Sequence, residues 1–292
     1  MDVKVTTSDI NNKVESFAEI AWERFSKNYS AMSGAIVLGA FILMGIFADL
    51  IMPFDPKAAV GTPFMKPGPI HWMGTDNLAR DTLSRFLVGL RVSLMVGFGA
   101  ATLSNVIGVI IGSIAGYLGG WVDALLMRIA DIFLTIPMLV LGIVIAAFLG
   151  GSVLNILLII AFLSWPRSAR IVRSEFLTLR EREFVHAARA VGESDLWIVF
   201  REILPNALPP VLVNWSLEVG SDIITEAGLS FLGMGDPEMG SWGMMLQDAQ
   251  RFLRTAWWMS VFPGLGIALA SLSANLIGEG LSDALNPKLE ER

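Results

Sequence analysis

The sequence predicts an all-α polytopic membrane protein, with about six transmembrane helices, an amphipathic helix before them and a charged, helix-forming cytoplasmic loop. Three observations carry that expectation. Mean hydropathy is +0.61, with 54% hydrophobic and only 16% charged residues in 292. Apolar runs of roughly eighteen residues or more, enough to cross hydrocarbon as a helix, recur along the chain. Between two of them, residues 167–205 form a charged, helix-forming island. The short alternating segments of a membrane barrel are absent.

Residues 1–30 mix Asp2, Glu15, Glu19 and Glu23 with Lys4, Lys13, Arg24 and Lys27, unlike the basic start and apolar stretch of a secretory signal. Ile10, Val14, Phe17, Ala21 and Phe25 recur at helical spacing. They predict an amphipathic helix, lying in the headgroup region or packed on a partner. The transmembrane body follows over 31–287, with a short tail at 288–292.

Six spans are expected at roughly 31–52, 92–117, 123–149, 152–166, 207–234 and 257–281. The fourth is short and is expected to extend into the Trp165–Pro166 region. With the N-terminus inside, thirteen Lys and Arg fall in inner segments and seven in the outer loops 53–91 and 235–256. That bias favours both termini inside. Trp22, Trp121, Trp165, Trp257 and Trp258 fall near span ends, where indole rings prefer to sit. Pro137 and Pro263 are expected to kink their helices.

Several function classes are disfavoured. There is no Cys, hence no thiol or disulfide chemistry. A net charge of −6 argues against nucleic acid. Gly is never followed by Lys, so a phosphate-cradling ATPase loop is missing. His71 and His186 fall on opposite expected sides of the membrane, which leaves no histidine cluster for a metal. No internal repeat is visible. The chain reads as no enzyme, with no cofactor of its own.

Ionisable residues inside spans are functional candidates by default. Glu218, Asp222 and Glu226 lie at i, i+4 and i+8, which stacks three carboxylates on one helix face. They could line a translocation path with Trp215 beside them, pair with Arg128 or a partner's base, or sit at a wet helix end. Arg128 and Asp131, at i and i+3, read as an ion pair. Asp49, Glu279 and Asp283 lie near span ends within reach of water. In the first outer loop, Gly74–Asp76 reads as a turn, with Asp76 capping the next segment.

Within the island, residues 184–192 (FVHAARAVG) read as a short helix stopped by Gly192. A second helix runs from about Ser194 toward Pro205, with Ser194 or one of its neighbours as the cap. Ala187, Ala188 and Ala190 are small enough to seat the first helix in a groove. A solvated hairpin without a partner remains open.

This island, with REILPN at 201–206, resembles the ATPase-docking loop of bacterial and archaeal ABC importer permeases. HWMGTD at 71–76, RDTLSR at 80–85, WPxxAR at 165–170, EAGLSFLG at 226–233, SWG at 241–243 and NxxGxGLxDxLxP at 275–287 follow in order. Together they resemble the dipeptide/oligopeptide/nickel permease family, in its second, shorter type, over almost the whole chain. His186 stands where the general importer motif has Glu, and Glu202 where it has Ile. The resemblance implies a heterodimer with a homologous permease in the cell inner membrane. Two cytoplasmic ATPase subunits, holding ATP and magnesium, would dock through Glu183, His186, Ala187, Ala188, Arg189, Gly192 and Ser194. An extracytoplasmic binding protein would deliver solute to the outer loops. Short peptides are the expected cargo, with oligosaccharides or nickel as alternatives. An ion-coupled secondary transporter using the three acids is the rival from another class, and a transport-inactive scaffold a third reading.

Overall fold

The protein is described here by a computed structural model covering residues 17–285. The N-terminal helix expected around Ile10 and Val14 therefore lies partly outside the described residues, as does the tail. Its remainder is α1 (Phe17–Lys27), which meets α2 (Tyr29–Ile46) at Asn28. Asn28 Oδ1 caps α2 by accepting the Ala31 N–H at 3.1 Å, satisfying one of the helix's orphan donors. A short α3 (Ala48–Ile51) leads into an irregular loop.

The body then runs through α4 (Thr82–Leu118), α5 (Gly120–Thr135), α6 (Met138–Leu149) and α7 (Val153–Leu179). The island contains α8 (Glu183–Ala190) and α9 (Asp195–Trp197), and a π-helical stretch Ile198–Ile203 joins them to α10 (Leu204–Leu229). A second π-helical stretch, Ser230–Met234, precedes α11 (Trp242–Ala249) and α12 (Trp258–Leu285). Five helical runs are long and apolar enough to cross a membrane, and α5 with α6 makes a sixth crossing bent by 88°. Because successive crossings reverse direction, α1, α8, α9 and the end of α12 gather at one end of the bundle. Asn28 Nδ2 donating to Asp283 at 3.3 Å ties that end together. The opposite end is tied by Trp258 Nε1, which donates to the Thr75 carbonyl at 3.1 Å.

The centre of the bundle is α4 against α7 and α10. A Cβ on Gly108 would stand 2.4 Å from Ser168 Cβ, one on Gly112 2.5 Å from the Ala169 carbonyl oxygen, and one on Gly116 2.5 Å from Phe176 Cβ. Glycines four apart thus form a groove on α4 into which α7 is pressed. Helices in lipid gain little from hydrophobic burial against each other, so close backbone approach has to supply the attraction.

Several expectations are corrected. The span expected at 92–117 belongs to a helix that begins ten residues earlier, at Thr82, where Asp81 rather than Asp76 is the cap: Asp81 Oδ2 accepts the Ser84 N–H at 2.8 Å. Asp76 instead folds the loop, accepting Leu78 N–H at 2.8 Å and Arg80 N–H at 2.9 Å. The fourth span is not short. α7 continues through Pro166 to Leu179, since packing on α4 outweighs one missing backbone hydrogen bond. Trp165 and Trp258 are 5% and 1% exposed, so packing rather than interfacial preference places them. Asp131 pairs with Arg170 of α7, not with Arg128 on its own helix. Pro137 does break its helix, at the 88° bend.

Gly112→Leu should abolish accumulation of folded protein, and Gly112→Ala should cost about 1–3 kcal/mol as an overpacked contact. Gly39, whose Cβ would meet nothing within 4 Å, is the matched control. Thermal unfolding in detergent reads the difference.

Candidate functional site

Two groups of residues stand out, an exposed hairpin at one end of the bundle and a polar seam inside it. The hairpin starts from a helix with two unlike faces. Val185 and Ala188, three apart on α8, are buried in a cluster with Val172 and Phe176 of α7 and with Ile198, Ile203 and Ala207. Glu183, His186, Ala187 and Arg189 are exposed. Ala188, expected to seat α8 in a partner's groove, thus faces the protein's own core.

The stop after α8 is a Schellman motif. Gly192, at φ 88°, donates to the Arg189 carbonyl at 3.0 Å, and Glu193 N–H donates to the Ala188 carbonyl at 3.2 Å. Ser194 then caps α9, its Oγ accepting the Trp197 N–H at 3.3 Å. The second helix does not end at Pro205. A π turn closes with Leu204 N–H donating to the Val199 carbonyl, and the next residue, Pro205, has no N–H to place. The hairpin therefore runs unbroken into α10.

Tyr117, at the end of α4, ties this hairpin down. Its hydroxyl donates to the Asp195 carboxylate, and the Arg189 guanidinium carbon lies 5.8 Å from its ring centroid. Arg180 Nη1 donates to the Gly116 carbonyl at 2.9 Å, closing the same corner. Sequence reasoning missed Tyr117. Its signal was present, since it is one of two tyrosines in the chain and ends an apolar span.

The seam carries the three stacked acids, all buried at 5%, 2% and 1% exposure for Glu218, Asp222 and Glu226. Glu218 accepts from Ser168 Oγ at 2.9 Å, from Ser104 Oγ at 3.0 Å and from the Asn105 amide. Glu226 accepts from Ser93 Oγ at 2.9 Å and Ser230 Oγ at 2.6 Å. Asp222 Oδ1 accepts from Ser164 Oγ at 3.3 Å, while its Oδ2 meets no donor. The donors belong mainly to α4 and α7, so the ladder faces the interior of this chain's own bundle and is held by hydroxyls rather than by Arg128. Trp215 lies apart from it, half-buried, donating to Thr102 Oγ1 at 3.1 Å and packing on Phe98. Of the four candidate path residues, it alone is partly exposed.

At the opposite end, Arg80 Nε and Arg85 Nη1 donate to Asp76 Oδ2 at 2.7 and 2.6 Å, and Arg85 Nη2 reaches Asp248 at 2.8 Å. His71, 3% exposed, pairs with Asp81 at 2.8 Å. These pairs hold the 52–81 loop against the segment that carries α11.

Tyr117→Phe keeps the ring and removes one charge-assisted hydrogen bond, which should destabilise the hairpin locally by about 1.5–3 kcal/mol. Limited proteolysis should then cut between residues 180 and 197 faster, with the global melting temperature little changed.

Residues 16–68 match the N-terminal TM domain of oligopeptide transport permease C. The chain is 42% identical over 272 residues to the dipeptide transport system permease protein DppC of Alkalihalophilus pseudofirmus, covering 92% of this chain and 90% of the relative. It is 38% identical over the same shares to the glutathione transport system permease protein GsiD of Pectobacterium atrosepticum, and 39% to that of Shigella sonnei. Among solved structures, an inward-facing MetNI methionine ABC transporter chain superposes with a TM-score of 0.56 at 20% identity, covering 68% of this chain and 94% of that one, a likeness of fold. Residues 108–291, more than half the chain, match the binding-protein-dependent transport system inner membrane component, and the chain belongs to that family.

Proposed function

We propose that this permease subunit moves short peptides, pairing in the inner membrane with a homologous permease so that the pair docks two ATPase subunits, one of them on the outward face of α8. The carrying observation is the division of α8 into a face committed to the core and a face left open. A merely solvated hairpin has no need of the Schellman stop, the Ser194 cap and the Tyr117 clamp together. In this reading both termini and the hairpin face the cytoplasm, and ATP and magnesium belong to the ATPases. The loops at the opposite end receive an extracytoplasmic binding protein that delivers the peptide. Support for peptides as cargo comes from the relatives, named for dipeptide and glutathione transport.

The coupling is mechanical. Closure of the ATPases on ATP pushes the exposed residues Glu183, His186, Ala187 and Arg189. Displacement passes to α4 through the Tyr117–Asp195 bond and to α10 through the continuous π-helical run. The acid ladder fixes α10 to α4 and α7, so that the push moves a block rather than a single helix. Trp215 is half-buried where the three acids are fully enclosed.

Co-expression with the neighbouring permease and ATPase genes tests the assignment. Ala187→Glu adds bulk and charge to the exposed face, and should leave insertion intact while cutting ATPase co-purification about tenfold, a loss of roughly 1.4 kcal/mol. Ala188→Glu should instead fail to accumulate, because it places an unpaired charge in the core. Full retention of the ATPases by Ala187→Glu, or no association with the wild type, would overturn the docking and favour an ion-coupled carrier.

A further inference from the structure

A groove opens between α2 and α4 at the end that bears the 52–81 loop, with a cavity of about 440 Å³. On the α2 side it is lined by Ile42, Gly45 and Ile46, and on the α4 side by Leu94, Met95 and Phe98. Those side chains offer only carbon and sulfur. Gly45 gives the groove depth because it has no side chain, and Phe98, packed on Trp215, closes its far end. The remaining lining residue, Arg91, sits at the rim and pairs with Asp49.

The level of that pair matters. α2 has 18 residues and so rises about 27 Å, close to the thickness of the hydrocarbon layer. Asp49 lies just beyond its end, where headgroups begin. Arg91 Nη2 and Nη1 reach the two Asp49 oxygens at 2.9 and 3.3 Å, and Nε donates to the Gly45 carbonyl at 2.9 Å. Three of the five guanidinium N–H groups are used and two remain. The Asp49 side chain is 65% exposed, which leaves acceptor capacity on the open side.

We propose that this groove holds one zwitterionic phospholipid with a primary ammonium headgroup, of the phosphatidylethanolamine kind. An acyl chain fills the apolar furrow, the phosphate takes the free N–H groups of Arg91, and the ammonium donates to Asp49. A fixed positive and a fixed negative group side by side match a headgroup that carries both. A purely anionic headgroup meets Asp49 as a like charge. A choline headgroup has no N–H to give the carboxylate.

The test uses the assembled importer with its partner permease and ATPases, stripped of lipid and then incubated with vesicles of phosphatidylethanolamine, phosphatidylcholine or phosphatidylglycerol. Native mass spectrometry counts the retained phospholipid. One phosphatidylethanolamine per copy of this chain should be kept in excess of the other two lipids, with occupancy about tenfold higher at limiting lipid. Asp49→Asn should erase that preference. Met95→Trp, made at a 47% exposed wall position, should fill the groove and lower retention by one molecule while leaving the ion pair in place. Equal retention of the three lipids, or unchanged retention in Met95→Trp, would overturn the site. So would efficient cross-linking of Met95→Cys to the partner permease, which would show that protein covers the groove. None of these outcomes depends on what the importer carries.

Discussion

Close approach of α4 and α7 is the constraint on which the rest of the molecule depends. Ser168 is the contact that Gly108 makes room for, and the same Ser168 donates to Glu218. A side chain at position 108 would therefore separate two backbones and also withdraw a hydroxyl from a buried acid. In hydrocarbon that acid has no water to fall back on, and an unmet polar group there is expensive. Packing and polar satisfaction are thus one requirement, met by the smallest residue on one helix and a short hydroxyl on the other.

The same economy shapes the hairpin. Its inner residues Val185 and Ala188 belong to the core made by α7 and the start of α10. Position and orientation of α8 are fixed by that shared core, by the Gly192 stop and by the Tyr117 clamp, to which Arg189 contributes, while Glu183, His186 and Ala187 stay exposed on its outer face. A surface built this way can present the Glu183 charge and the His186 ring to a soluble partner with little compromise between contact and stability.

Features set by local chemistry were legible in the sequence. Ser194 as a cap, Gly192 as a stop and Pro137 as a break each follow from one residue's backbone preference, and each stands where expected. What failed were local rules that distant packing overrides. Pro166 reads as a helix end, yet lies inside α7 because α4 holds both sides of it in line. Asp131 has Arg128 three residues away and chooses Arg170 on another helix. The spacing of Glu218, Asp222 and Glu226 correctly puts them on one face, but spacing carries no information about which neighbour that face meets. The glycines at 108, 112 and 116 were the unread signal: their period of four marks the face of α4 that accepts another backbone.

The polar ladder also limits how the bundle can deform. Glu218 is held by hydroxyls on two helices at once, Ser104 on α4 and Ser168 on α7. Turning α10 about its own axis would stretch at least one of those bonds whichever way it turned. The three helices consequently behave as a triangular strut, stiff to twisting and able to tilt only as a unit. The bent pair α5–α6 buries few residues fully, Ala130, Gly142 and Ala146, but leans on α7 through Phe133, Met138 and Leu141. A tilt of the strut therefore has to carry the 88° elbow with it, because Phe133 beside the bend packs on Phe162 and Trp165 of α7.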